Sequence, residues 1–359
     1  MKYPFVTIII PIRNEAQYIK QCLKAILDQT YPIEQMEILV VDGLSEDGTR
    51  EIIAQIAQQH PQLRLLDNPK QIAPTAMNIG IQQAKGEIII RVDGHCEIAP
   101  DYVLECVRLL QERDAACVGG PLRTIGIGSV GMAIAVAQSS PFGVGGARFR
   151  NPDINQEHYV DTLAFGAYRA EVFEQIGLFD EELVRNQDDE LNFRLIQAGD
   201  KILMSPKVRT VYYSRATWLK LWKQYYQYGY WKVRVMQKRH GVAAWRHLIP
   251  GLFVMSLIES LFLSLITRKW RWFLLVVGPY FLANLTISIL TAYKRGWRLL
   301  PLLPISFAIL HWAYGSGFLA GIGHFVLSPK NKVAQHARTK PHPQRIQPPQ
   351  KRSSPPGAL

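Results

Sequence analysis

Cysteine is scarce in this chain. Its 359 residues hold four, Cys22, Cys96, Cys106 and Cys117, and no two form a C-x-x-C pair. That spacing excludes a zinc ribbon, a thioredoxin-like redox site and a disulfide scaffold, and it fits reduced thiols inside a cytosolic domain. No G-x-x-x-x-G-K-[ST] occurs, which removes a P-loop. The apolar run 5–10 is too short for the core of a signal peptide and no small-residue cleavage site follows it. The expectation is that the first half of the chain stays in the cytoplasm. Acid is almost missing from the second half: after Asp200 only Glu259 stands against 24 Lys and Arg, whereas the residues up to Asp200 hold 28 acids and 17 bases. The net charge of +12 therefore conceals an acidic half joined to a basic one.

Three long apolar stretches lie in the basic half. Residues 248–267 contain one charge, Glu259, and residues 272–293 contain none. Residues 299–327 are interrupted only by His311 and His324. Crossing a hydrocarbon core takes about 20 apolar residues, so each is long enough. Basic clusters separate them: Arg268, Lys269 and Arg271, then Lys294, Arg295 and Arg298. Residues 207–246 carry ten Lys and Arg with no acid, which by the positive-inside rule also holds the preceding half in the cytoplasm. Three crossings would put the tail outside. Two crossings plus a re-entrant or surface-lying third stretch would keep it inside, and Pro301, Pro304, Gly315, Gly317 and Gly321 are compatible with a broken helix there. The Trp-, Tyr-, Lys- and Arg-rich run 218–239 reads as a helix at the membrane interface rather than a nucleic-acid stacking surface, because it directly precedes the apolar stretches. The Pro-rich basic tail reads as disordered.

The acidic half alternates two periodicities. Short β-branched runs at 5–10, 37–41, 63–66 and 88–92 predict strands. Segments 16–29, 49–59 and 75–84 show helical spacing. Alternating βαβ units imply a mostly parallel, Rossmann-like α/β sheet with ligands beyond the carboxyl ends of its strands. The residues at those ends are Pro11-Ile12-Arg13-Asn14-Glu15, Asp42-Gly43-Leu44-Ser45-Glu46-Asp47-Gly48-Thr49 and Asp93-Gly94-His95. Asp47 also fits a simple turn entering a helix. Asp93 cannot meet a nucleotide diphosphate directly, but it can through Mg²⁺ or Mn²⁺, and His95 is an acceptable second ligand for Mn²⁺. The acidic run Asn186-Gln187-Asp188-Asp189-Glu190 suits a helix N-terminus and could equally supply a general base. Gly126-Ile127-Gly128-Ser129-Val130-Gly131 matches G-x-G-x-x-G but does not follow the first strand. With Gly143, Gly145 and Gly146 it reads as flexible loop.

In order, the motifs Ile10-Pro11-Ile12-Arg13-Asn14-Glu15, Val40-Val41-Asp42-Gly43, Arg91-Val92-Asp93-Gly94-His95, Phe165-Gly166-Ala167-Tyr168-Arg169 and Gln187-Asp188-Asp189-Glu190-Leu191 resemble those of the family 2 glycosyltransferases. The resemblance spans residues 3–199 and is nearest to the bacterial exopolysaccharide glucosyltransferases of the succinoglycan type. It implies a GT-A fold, inversion at the anomeric carbon, a nucleotide-sugar donor such as UDP-glucose and a polyprenyl-linked acceptor. It further implies that Pro11, Arg13, Glu15 and Asp42 hold the nucleotide sugar, that Asp93 binds metal with His95 beside it, and that Asp188 is the catalytic base. His95 stands where the family has the last Asp of D-x-D, and Gln187 where it has the Glu of E-D, so Asp189 or Glu190 could share the base role. No Q-x-x-R-W signature of processive synthases is present, which favours single-sugar transfer. A processive synthase and a non-catalytic scaffold remain the competing readings. The expected organisation is a catalytic domain at 1–215, a basic aromatic interfacial segment at 216–246, two or three transmembrane helices at 247–327 and the tail at 328–359. The enzyme would be a multi-pass protein of the plasma membrane that contacts membrane lipids and no nucleic acid.

Overall fold

In the computed structural model, residues 3–239, 241 and 245–328 are described. The expected disordered tail falls outside them, apart from Ser328. The first strand, β1 (Val6–Ile12), is buried except at Pro11, as a largely β-branched run covered on both faces should be. The chain continues through α1 (Ile19–Leu27), β2 (Met36–Asp42), α2 (Thr49–Ala57), β3 (Leu63–Asp67), α3 (Ala73–Gln83) and β4 (Ile88–Arg91). All four strands are parallel, in the order β3-β2-β1-β4. Successive residues of β1 point to opposite faces. Ile8 and Ile10 join the core under α1, while Ile9 joins the core formed with Ala76 and Met77 of α3.

Beyond β4 come β5 (Cys96–Ile98), α4 (Tyr102–Glu112), β6 (Cys117–Gly119), β7 (Leu122–Ile125), α5 (Gly128–Gln138), α6 (Pro141–Val144), β8 (His158–Tyr159), β9 (Ala167–Arg169), α7 (Glu171–Ile176), α8 (Gln187–Gln197), β10 (Ile202–Met204) and β11 (Thr210–Tyr213). The main sheet runs β3-β2-β1-β4-β9-β6-β10-β8. Here β9 is antiparallel to both β4 and β6, so the sheet is parallel in its first half and mixed in its second. A small second sheet, β5-β11-β7, lies beside it. The expected α/β layering holds. The four cysteines are free and buried.

The last helices are α9 (Trp218–Lys238), α10 (Ile249–Thr267), α11 (Arg271–Arg295) and α12 (Leu303–Gly321), followed by a π-helical turn over Ile322–Leu327. Three spans, Trp245–Thr267, Arg271–Arg295 and Leu303–Leu327, are long and apolar enough to cross a membrane, with mean hydropathies of 2.0, 2.0 and 1.3. Their outer faces expose Leu252, Ile258, Phe262, Leu265, Leu275, Phe281 and Leu282. A contiguous apolar surface of this kind calls for lipid or protein cover.

Three expectations change. The glycine-rich 126–131 segment is not a flexible loop: it turns into α5, whose Ala133, Ile134 and Ala137 pack with Leu221, Phe307 and Leu310 of α9 and α12. The low polarity of 128–138 forms the seat for the C-terminal helices. The third apolar stretch is not a broken helix. Pro304 lies in its first turn, where no backbone donor is lost, and its glycines serve close packing. A Cβ at Gly317 would lie 2.0 Å from the Tyr226 carbonyl oxygen, and one at Gly229 would lie 2.0 Å from that of Tyr314, so α9 and α12 meet backbone to backbone. Finally, 218–239 is helical, but α9 is packed against α12 on one side and pairs Lys232 with Asp189 on another, with Tyr225 buried and only Leu219 and Trp222 among its large apolar side chains exposed.

Candidate active site

The loops at the carboxyl ends of β1 and β2 are zipped together by side chains. The Asn14 amide donates to Ser45 Oγ (2.7 Å), the Glu15 amide to Thr49 Oγ1 (2.9 Å) and the Ala16 amide to Asp47 Oδ2 (3.1 Å). Asp47 thus has the turn role, and although burial would raise its carboxyl, the Thr49 hydroxyl and the Ala16 and Thr49 amides that donate to it lower it. Asn14, Leu44 and Gln71 all adopt positive φ, at 56°, 57° and 58°. Left-handed backbone at non-glycine residues costs energy and concentrates at ligand-binding edges; here one such residue follows each of the first three strands.

Asp42 is fully buried. Its Oδ2 accepts from the Ser45 amide (3.0 Å) and from Arg50 Nη1 (2.7 Å). Arg13 is exposed and lies over Gly43: a Cβ there would come within 3.3 Å of its side chain. Pro11, the last residue but one of β1, is half-buried. Glu15 turns toward the third loop, where its Oε1 is 3.0 Å from His95 Nδ1. Gly94 makes this possible, because a Cβ would clash with Ile12 Cγ2 at 2.6 Å.

Sequence reasoning assigned no role to Arg91. It ends β4 almost fully buried, and its Nε donates to Asp93 Oδ1 at 3.0 Å. Its Nη1 lies 4.0 Å from Asp188 Oδ2 and makes no hydrogen bond. Burial alone would lower this arginine's pKa, but Asp93 and Asp188 outweigh it and the guanidinium is held charged. An arginine closing an otherwise apolar strand was the available signal. Arg91 thus bridges two carboxylates nearly a hundred positions apart in sequence.

The acidic run sits at the start of α8, after Asn186 in a left-handed conformation (φ 60°). Its three acids have different surroundings. Glu190 is paired with Arg194 (2.8 Å). Asp189 meets Lys232 Nζ at 2.7 Å and Arg239 Nη2 at 3.3 Å. Burial would raise the Asp189 carboxyl, yet these two cations hold it at about 2. Asp188 lines the cavity, and among the described residues no cation comes closer to it in an ion pair than Arg91, at 4.0 Å. Burial pushes its carboxyl above the ordinary value, Arg91 opposes this, and Asp189 adds to it.

Arg91, Asp93, His95 and Asp188 line one cavity of about 580 Å³. Its other wall is Ile249, Pro250 and Phe253 of the α10 region, Tyr280 of α11, and Leu310, His311 and Tyr314 of α12. Pro11, Arg13, Glu15 and Asp42 are not among the lining residues. Among the described residues no three His, Cys, Asp or Glu side chains converge as a ready-made metal site. Asp93 and His95 do suit a Mg²⁺ or Mn²⁺ ion that takes its remaining ligands from phosphate and water, since Arg91 engages Oδ1 of Asp93 and Glu15 engages only Nδ1 of His95.

Comparison with known proteins gives a consistent result. The profile of Glycosyl transferase family 2 matches residues 7–177. The succinoglycan biosynthesis protein ExoA of Rhizobium meliloti is 31% identical over 87% of this chain and 93% of its own length. A dolichyl N-acetyl-alpha-D-glucosaminyl phosphate 3-beta-D-2,3-diacetamido-2,3-dideoxy-beta-D-glucuronosyltransferase of Methanococcus voltae is 28% identical over 89% of this chain and 97% of its own. In three dimensions the chain resembles the mannosyltransferase PcManGT from Pyrobaculum calidifontis, solved with GDP-Man and Mn²⁺, with a TM-score of 0.55, 19% identity and 87% coverage of both chains. That likeness shows the GT-A fold.

Proposed function

The chain belongs to glycosyl transferase family 2, and from that premise we propose that it moves a single sugar, with inversion, from a nucleotide sugar to a hydroxyl of a polyprenyl-linked acceptor. The observation that carries this reading is the cavity, which joins Asp93 and Asp188 to Phe253, Tyr280 and Tyr314 of the apolar helices. A glycan carried on a membrane lipid can reach the carboxylates through it without leaving the bilayer surface. The name of the Methanococcus relative, which specifies a dolichyl-linked acceptor, supports the same substrate class. UDP-glucose is the first donor to test, on the likeness to the succinoglycan protein.

Asp188 is the proposed base. Of the three neighbouring acids it alone is not held in a close ion pair, and its raised carboxyl suits it to take a proton from an acceptor hydroxyl near neutral pH. Arg91 keeps that carboxylate ionised and aims Asp93. Pro11, Arg13, Glu15 and Asp42 are proposed to seat the nucleoside, with Asp42 fixed by Arg50 before any ligand arrives. Asp93 and His95 would hold Mn²⁺ or Mg²⁺, which when bound neutralises charge growing on the leaving diphosphate. We place catalysis in residues 1–215, with 216–246 bracing it against membrane helices in 247–327. The protein is then a multi-pass plasma-membrane enzyme whose catalytic part faces the cytoplasm.

The test uses full-length protein in detergent, a panel of labelled nucleotide sugars, Mn²⁺ or Mg²⁺, and a total membrane lipid extract. The expected result is metal-dependent passage of one sugar per acceptor into the organic phase from one donor. Long water-soluble polymer would instead indicate a processive synthase. Nucleotide binding without turnover of any donor would leave a scaffold.

A further inference from the structure

Most cations that α9 and the segment after it bring to the catalytic part have acid partners. Lys232 and Arg239 meet Asp189, Arg234 meets Glu182, Lys238 meets Asp180 and Glu182, and Arg246 meets Asp161. Arg150 and Arg215, which precede α9 in the sequence, differ. Both line the cavity, and among the described residues neither makes an ion pair with a carboxylate. Arg150 Nη1 is shielded from solvent and makes no hydrogen bond. Leaving a buried guanidinium unsatisfied is costly unless an anion fills the place.

The walls around these two cations are built from donors. Tyr228 Oη accepts from Gln224 Nε2 at 2.9 Å, Tyr212 Oη from the same amide at 3.5 Å, and Tyr225 Oη from Gln138 Nε2 at 3.4 Å. Each tyrosine therefore keeps its own proton to give. All three line the cavity, and Arg150 lies close enough to them and to Asp188 to interact electrostatically. Two planar guanidiniums and three hydroxyl donors thus line one cavity, and arginine recognises a tetrahedral oxyanion through paired N–H bonds. A carboxylate ligand would use fewer of these donors.

We propose that Arg150 and Arg215, with Tyr212, Tyr225 and Tyr228, form a phosphate subsite between Asp188 and the membrane helices. The inference rests on the reading of the chain as a transferase to lipid-linked acceptors. Two sources share the chemistry: the phosphate of a polyprenyl-linked acceptor and the diphosphate of the donor. The tyrosines on α9 line the same cavity as Phe253 and Tyr314 and belong to the helix packed against α12, which suits the acceptor.

The test is steady-state kinetics on full-length Arg150→Gln, Arg215→Gln and the conservative Arg150→Lys, each checked for parental melting temperature in detergent. Losing one charge-assisted bond to phosphate should raise a KM about tenfold or more, with Arg150→Lys recovering part of it. A rise for the polyprenyl acceptor alone assigns the subsite to the lipid phosphate, and a rise for the donor alone assigns it to the donor diphosphate. Unchanged KM values for both in folded variants would overturn the proposal. Should the parent protein transfer to no lipid, the functional reading falls, and inorganic pyrophosphate decides the subsite separately. Thermal stabilisation of the parent by pyrophosphate, lost in Arg150→Gln, would uphold it; no stabilisation would sink it.

Discussion

Replacing Lys232 by methionine removes the cation nearest Asp189 and keeps the length of the side chain. The pair is close (2.7 Å) and well shielded, with 9% and 14% of the two side chains exposed. Deleting one partner of such a pair strands a buried charge, at a cost of about 3–5 kcal/mol. Arg239, 3.3 Å away on the other carboxylate oxygen, takes over part of the role, which brings the expectation to about 2–3 kcal/mol. Linkage gives an independent figure. A carboxyl held at about 2 rather than near its ordinary value stabilises the fold by about 2.5 kcal/mol at neutral pH. Because that carboxyl is lowered, the contribution is complete above roughly pH 4 and is lost as pH falls toward 2. Lys232→Met should thus lower the melting temperature in detergent at pH 7 by roughly 4–10 °C, read at one fixed scan rate. Adding Asp189→Asn and Arg239→Gln to Lys232→Met should regain much of the loss, because no charge of the cluster is then stranded. A single variant as stable as its parent, or a triple variant less stable than the single, would refute the claim that this cluster clamps α8 to α9.

Asp188→Asn should lower kcat by about 10²–10⁴-fold with little change in donor KM; an equal loss in Glu190→Gln would argue against singling out Asp188. Arg91→Gln removes the cation that opposes protonation of Asp188, so the acid limb of the pH–kcat/KM profile should move upward, and a limb that stays or moves down would contradict the assigned role. Gly317→Val drives a side chain into the Tyr226 carbonyl and should destabilise by about 1–3 kcal/mol, seen as a lower melting temperature in detergent.

Much of the catalytic half was legible because strand ends speak locally. Asp42 and Asp93 follow runs of apolar residues, and their positions at the end of β2 and just past β4 needed only period and order. Arg91 was hidden, since its partner Asp188 comes from a helix nearly a hundred residues later and no local pattern announces the pair. The GT-A likeness named the motif containing Arg91 but not its bridging geometry. α5 was misread because glycines suggested a loop, whereas its alanines and Ile134 form a helix seated under α12. The charge division was visible, yet its meaning was not. Basic residues that read as facing a membrane surface pair instead with Asp180, Glu182 and Asp189 across the junction. In the third apolar stretch, Gly315 and Gly317 read as breaks because their close neighbours on α9 and α10 are remote in sequence.

The central claim is that the acceptor lipid enters the cavity between Asp188 and the apolar helices. Its most direct test places the photo-crosslinking residue p-benzoylphenylalanine at Phe253, inside the cavity, or at Phe262, whose side chain is 66% exposed on the outer face. Each protein is irradiated with isoprenoid-labelled acceptor in excess bulk phospholipid. The account predicts labelling at 253 that unlabelled acceptor competes away, against weak and non-saturable labelling at 262. Equal, non-competed labelling at the two positions, or none at 253 in an active enzyme, would contradict it.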